Sequence, residues 1–290
     1  MGPGDDCAVV RPGGASLLLK TDQVIEGRHF VSGTPLELVG RKAVARAVSD
    51  IAAMGGRPVA ALAACALPRG FAGADALFEA CYRWAERLGA PLVGGDIASF
   101  ASEGAALTLT ITVLGEPHAA RGPVLRSGAR AGDAVYVTGE IGGSFDAETG
   151  RGKHLEFVPR VEEGWWLAGT LGGKLRAMMD VSDGLGMDAG RLAAASGVGV
   201  ELEGVEACLS GEVLRRAESP LSRDAVLGAV ADGEDYELLF VVDAGTEVPA
   251  VCPATGTRMT RVGLCVEGQG AYLRVGGERI DVSRRGWEHT

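Results

Sequence analysis

From Leu36 to Met54 the apolar residues recur at helical spacing, and the run stops at Gly55-Gly56, a common helix terminator. Ala74 to Leu88 repeats the pattern and ends at Gly89 and Pro91. Further on, Val161 to Leu171 and Leu185 to Ala195 read as helices. Other stretches follow a strand pattern. Ala105 to Leu114 alternates Thr with Leu, Ile and Val, which gives one polar face. Val59 to Leu67 is a small-residue apolar run ended by Pro68, consistent with a buried strand. Strands are also expected at Ser16 to Thr21, Ala134 to Thr138, Ala177 to Val181, Val198 to Leu202 and Tyr236 to Val242. A short one at Leu92-Val93 runs into Gly94-Gly95-Asp96. Shorter ones fall near Arg261 to Val266, Tyr272 to Val275 and Arg279 to Val282. Helices and strands mix in both halves, so the fold class is α/β or α+β. Gly115 to Gly132, rich in Gly, Pro and Arg, reads as a linker, and 290 residues suit one or two domains.

Hydrophobic residues make up 47% of the chain, enough for a substantial core. The formal net charge of −10 argues against a nucleic-acid binder, whose affinity rests on Lys and Arg, and against attachment to anionic lipid. The longest uncharged apolar run, Pro58 to Pro68, is about half of a bilayer span. The first residues lack the basic and apolar regions of a signal peptide. Six cysteines with no C-x-x-C pair suggest buried reduced thiols in a cytoplasmic protein. Glycine is in excess, at 45 residues.

The acids have a pattern of their own. Asp5-Asp6, Asp22, Asp50, Asp96, Asp180-Val181-Ser182-Asp183 and Glu234-Asp235 each stand beside Gly, Ser or Thr. They are expected at strand ends, where loops converge on α/β sites. Taken singly, each is as readily a turn residue or a helix N-cap. Taken together, converging carboxylates repel and call for cations. Hard oxygen donors with no matching His or Cys select Mg²⁺ or Ca²⁺ over zinc, and Mg²⁺ shares its sphere with phosphate oxygens. No P-loop, no G-x-G-x-x-G after a strand, no protein-kinase signature and no G-x-S-x-G is present. An Mg²⁺-dependent, phosphate-handling site is the reading that remains.

Several blocks resemble the thiamine-monophosphate kinase family. They are Gly4-Asp5-Asp6-Cys7-Ala8-Val9, Lys20-Thr21-Asp22 through His29-Phe30, Gly40-Arg41-Lys42-Ala43, Ser49-Asp50-Ile51-Ala52-Ala53-Met54-Gly55, Val93-Gly94-Gly95-Asp96, Arg126-Ser127-Gly128-Ala129, Met179-Asp180-Val181-Ser182-Asp183-Gly184-Leu185 and Gly233-Glu234-Asp235-Tyr236-Glu237-Leu238. The resemblance implies a PurM-like two-domain fold. Residues 1–120 would form an N-terminal domain that builds a β-barrel across a homodimer, and residues 121–290 a C-terminal α/β domain. It implies direct phosphoryl transfer from ATP to thiamine monophosphate, with several Mg²⁺ ions held by Asp6, Thr21, Asp22, Asp50, Asp96, Asp180 and Asp183. Among these, Asp50 and Asp183 would be central to catalysis. ATP contacts would fall on Gly95, Asp96, Arg126 and Ser182, and substrate contacts on His29, Glu234 and Trp287. Three departures stand out. Members of the family carry more residues before the Gly-Asp-Asp block. Lys20 stands where they have Ser or Thr, which would place an ammonium where a cation is expected. Ile97-Ala98 follows Asp96 where they have Thr-Thr. Two alternatives remain: another synthetase of the same superfamily, such as an aminoimidazole ribonucleotide, formylglycinamidine or selenophosphate synthetase, or a non-catalytic nucleotide sensor.

Overall fold

A computed structural model describes residues 4–217 and 221–287. The first sheet holds five strands: β1 (Ala8–Val10), β2 (Leu17–Ile25), β3 (Gly56–Leu67), β4 (Leu92–Ser99) and β5 (Thr108–Pro117). Their order is β1-β2-β5-β3-β4, with β3 and β4 parallel and the other pairings antiparallel. It is an open sheet with β1 and β4 as its edges, so no closed barrel forms within one chain. Two helices, α1 (Leu36–Ala53) and α2 (Ala74–Arg87), cover one face. Between α1 and the sheet lies a core built from Val44, Val48, Ile51, Leu18, Leu109, Ile111 and Val113.

The second sheet has seven strands: β6 (Ala134–Thr138), β7 (Leu175–Asp180), β8 (Gly199–Glu203), β9 (Leu238–Val242), β10 (Met259–Val266), β11 (Gly270–Val275) and β12 (Glu278–Asp281). Their order is β12-β11-β8-β10-β6-β9-β7. Helices α3 (Lys153–Glu156), α4 (Val161–Leu171), α5 (Leu185–Ser196), α6 (Gly211–Arg216) and α7 (Arg223–Ala231) complete this half. Helix α1 packs against α3, α4 and β7 as well as against its own sheet, so it is the spine between the halves. All six cysteines are free and buried, and no helix among the described residues is long and apolar enough to cross a membrane.

The long periodic helices and the apolar strands lie where the pattern places them. The differences are local. Gly94-Gly95-Asp96 does not follow a strand but sits inside β4, which is exposed over most of its length. A fully exposed edge strand has no apolar alternation to betray it. Gly95 has a steric reason: a Cβ there would lie 1.9 Å from the Ala63 carbonyl oxygen on β3. Asp22 lies in mid-strand on β2 and Asp50 on the last turn of α1, away from strand ends, whereas Asp5-Asp6 precede β1, Asp180 ends β7 with Ser182-Asp183 after it, and Glu234-Asp235 precede β9. The 115–132 segment is pinned rather than loose. Gly115 to Pro117 belong to β5, Val124 is buried, and its N–H donates to the Met54 carbonyl at 3.0 Å. Gly55, at φ +65, makes the turn out of α1 that brings Met54 to this contact.

Candidate active site

Helix α1 is apolar on most of its surface yet carries Lys42, Arg46, Ser49 and Asp50 on one stripe, at helical spacings of four and three to four residues. Arg46 and Asp50 of this stripe line a cleft of about 650 Å³, while Lys42 and Ser49 are buried. Each of its members meets a residue from another segment. Arg46 Nε donates to Asp22 Oδ2 at 3.0 Å, Ser49 Oγ donates to Asp180 Oδ2 at 2.6 Å, and Asp50 Oδ1 accepts from Lys20 Nζ at 2.7 Å.

The acidic end of the cleft gathers three carboxylates from distant parts of the chain. Asp6, Asp50 and Asp180 are all buried, and one oxygen from each lies within 4.8 Å of the others. Burial pushes the Asp180 carboxyl up to about 6, and neighbouring Asp6 adds to the rise. Burial likewise raises Asp50 well above the carboxylate range, against the pull of Lys20. Asp6 accepts from Arg126 NH2 at 2.6 Å through Oδ1, while its Oδ2 is buried without a hydrogen-bond partner. Asp5 contributes too, by accepting from the Arg126 backbone N–H at 2.7 Å. Ser182 and Asp183 follow on the loop after β7. Both of their N–H groups donate to Asp188 Oδ2, at 3.0 and 2.9 Å. Arg191 bridges Asp183 and Asp188.

The other end is built around a buried lysine. Lys42 has no solvent exposure, and its ammonium donates to the His29 carbonyl at 2.6 Å and pairs with Glu234 Oε1 at 2.7 Å. His154 Nδ1 lies 2.7 Å from the same ammonium and 3.3 Å from Glu234 Oε2. Burial alone would raise the Glu234 carboxyl, but the His154 hydrogen bond and the Lys42 charge hold it down at about 2. Glu234 and Tyr236 are the two non-glycine residues with positive φ among those described, at 64° and 52°. Such backbone costs about 1–3 kcal/mol each and persists only where the surroundings impose it. Here Tyr236 stacks on Phe157 at 3.9 Å, and the loop N–H groups bond to Ser182 and Val181. His29 Nδ1 accepts from the Ile25 N–H at 3.0 Å, so Nε2 carries the proton of the neutral ring. Burial, and then the Arg46 charge, hold His29 down at about 4. Trp287 is half-exposed at the cleft mouth, its ring 5.4 Å from the Arg28 guanidinium, and its backbone N–H donates to the Asp183 carbonyl at 2.8 Å.

Residues 4–116 match the family described as AIR synthase related protein, N-terminal domain. A thiamine-monophosphate kinase of Rhodopirellula baltica is 36% identical over 303 residues, spanning 100% of this chain and 91% of the other. The chain belongs to the thiamine-monophosphate kinase family. The thiamine-monophosphate kinase of Mycobacterium tuberculosis is 35% identical over 254 residues, covering 82% of this chain and 74% of its own. A solved structure described as AaThiL complexed with AMPPCP and TMP superposes with a TM-score of 0.81 at 30% identity, covering 99% of this chain and 91% of the other.

Of the residues singled out from the sequence of this thiamine-monophosphate kinase family member, Asp22, His29, Asp50, Arg126, Asp180, Ser182, Asp183, Glu234 and Trp287 line the one cleft, with Asp6 beside them. Thr21, Gly95 and Asp96 do not line it. The Thr21 hydroxyl pairs with Thr112 at 2.9 Å. Asp96 lies on β4, three strand spacings from Asp22 on β2, or about 14 Å. Sequence reasoning missed Lys42, Arg46, Asp188, Arg191 and His154 as parts of the site. The polar stripe of α1 was the available signal for the first two. Asp188 and Arg191 are brought in by helix α5 and His154 by the short helix α3, and none of the three stands in a motif.

Proposed function

We propose that this chain transfers the γ-phosphoryl group of ATP directly to thiamine monophosphate, giving thiamine diphosphate and ADP. The observation that carries this reading is the division of one cleft into an acidic end (Asp6, Asp50, Asp180) and a carboxylate–histidine–tryptophan end (Glu234, His29, Trp287). Its relatives' names give the substrate. The acceptor is a phosphate monoester whose second pKa is about 6, so it is already anionic at neutral pH and needs no general base. The work left to the protein is positioning and charge.

The oxygen-only donor set and the buried, unpartnered Asp6 Oδ2 suit a hard cation such as Mg²⁺, held by Asp6, Asp50 and Asp180, with Asp22 and Asp183 within the same cleft. Bound there, Mg²⁺ would offset the charge of two phosphates brought together. Arg126 offers a fixed fork to nucleotide phosphate, and Ser182 a hydroxyl beside it. Glu234, kept ionised by Lys42 and His154, faces the cationic thiazolium, and the Trp287 ring offers it an aromatic face.

Residues 1–120 and 121–290 are proposed as the two domains, with a homodimer formed through the first in the cytoplasm. Support for the dimer comes from β4. It is an unpaired edge strand with exposed apolar residues, Val93 at 69% and Ile97 at 59% exposure, next to exposed Leu62 and Val59 on β3. Asp96 and Gly95 on this edge are too far from Asp22 to act with it in one chain. Pairing with a second copy would deliver them to the partner's site, which is where their ATP and metal roles belong. Ile97→Lys is expected to yield monomers by sedimentation, with turnover lost as the shared site is broken. A variant that stays dimeric would rule out this edge.

The direct test is purified protein with ATP, Mg²⁺ and thiamine monophosphate, followed for thiamine diphosphate. Product at catalytic rates is expected. ATP binding without product at high enzyme concentration would overturn the kinase reading and leave a nucleotide-binding protein.

A further inference from the structure

Lys20 and Asp22 stand two residues apart on β2, so both side chains project to the same face of the strand, and both line the cleft. The Lys20 ammonium lies 2.7 Å from Asp50 Oδ1, inside the group of three carboxylates. Charge is spread unevenly across that group. Asp50 is paired with Lys20 and Asp6 with Arg126, whereas Asp180 is hydrogen-bonded by the Ser49 hydroxyl and feels both cations without an ion pair of its own. With all three carboxylates ionised, as they are when they hold a metal, two cationic side chains leave one net negative charge. Unmet demand shows at Asp6 Oδ2, which is buried without a hydrogen-bond partner on a residue 3% exposed.

We propose that Lys20 is a built-in cation: its ammonium does at Asp50 what a second bound divalent ion would do, so the Asp6–Asp50–Asp180 group takes one divalent cation per chain and not two. The inference rests on the metal-binding reading above and adds a stoichiometry to it. The physical reason is mutual exclusion. An ammonium occupies the coordination space of an Asp50 oxygen, and its charge repels a divalent ion brought within a few ångströms. A first ion at Asp6 and Asp180 meets compensating negative charge, whereas a second would meet none. Lysine is suited to the part because it is a compact point charge on a flexible stem.

The test counts Mn²⁺ bound per chain, by equilibrium dialysis with metal analysis and by electron paramagnetic resonance, in the absence of nucleotide. The intact protein is expected to hold one tight Mn²⁺ in this group, Lys20→Met and Lys20→Ser two, and Lys20→Arg one. Thermal melts give a second readout. Without metal, Lys20→Met should melt lower than the parent protein, since Asp50 loses its partner, and it should gain more from added Mn²⁺. Equal counts in the parent protein and both neutral variants would overturn the proposal. The parent protein decides alone if the variants do not fold: a second equally tight ion there overturns the built-in cation, and a single ion supports it. No Mn²⁺ on any of the proteins would overturn the metal-binding reading itself, and this inference with it.

Discussion

Replacing Asp180 by asparagine is expected to cut turnover by roughly 10²–10³-fold, the scale of losing one preorganised electrostatic group, while leaving the fold intact. Asn keeps the shape and can still accept from Ser49 Oγ, but it removes the charge of the one carboxylate in the group without an ion pair of its own. The same change should stabilise the metal-free protein. Burial and Asp6 raise the Asp180 carboxyl to about 6, above the ordinary aspartate value of about 3.9. The folded state therefore binds more protons than the unfolded state between these two values, and this group's contribution to stability grows as pH falls from about 6 towards 4. Asn makes that neutral state permanent at pH 7. A higher melting temperature without metal, together with a loss of the Mg²⁺-dependent rise, is the signature to look for. Near-normal turnover would remove Asp180 from the site.

Lys42→Met should cost about 3 kcal/mol or more of stability, because breaking a buried ion pair strands the remaining charge. Lys42 has no solvent exposure and ties the His29 loop to Glu234, so one substitution loosens two segments of the substrate end. KM for thiamine monophosphate should rise about tenfold or more, with KM for ATP nearly unchanged, since the acidic end does not touch Lys42. A loss of this size corresponds to about 1.4 kcal/mol of binding. Lys42→Met combined with Glu234→Gln should recover part of the lost stability, because the stranded carboxylate is gone. Equal effects on both KM values would show that Lys42 serves the fold as a whole and not the substrate end. Denaturant titration and steady-state kinetics on the two single variants and the double variant settle the matter.

Much of this architecture was legible in one dimension. Helix α1, helix α4 and strand β6 follow from periodicity, because each buries a regular apolar face and that regularity is a local property. The acids of the site were legible for a different reason. Carboxylates beside Gly, Ser and Thr are out of place on ordinary solvated faces, and their number called for cations before any contact was known. Three short helices, α3, α6 and α7, were not legible, since four to nine residues hold too few turns for a period to show. Only the first two residues of strand β4, Leu92-Val93, were legible, because the exposed remainder carries no alternation.

Composition and pattern thus establish a mixed α/β chain with a phosphate-handling set of acids. Which of those acids act together is a matter of three-dimensional folding. Asp6, Asp50 and Asp180 are separated by up to 174 positions and meet because α1 lies between the sheets. Asp22 and Asp96 look equivalent as residues, yet three strand spacings part them, because sheet order depends on long-range pairing that no local pattern encodes. Lys42 reads as one more helix cation until the fold buries it against Glu234 and His154, and Lys20 as a strand lysine until it meets Asp50. Charge is written in the sequence, but its partners, and hence its chemistry, follow from burial and distance.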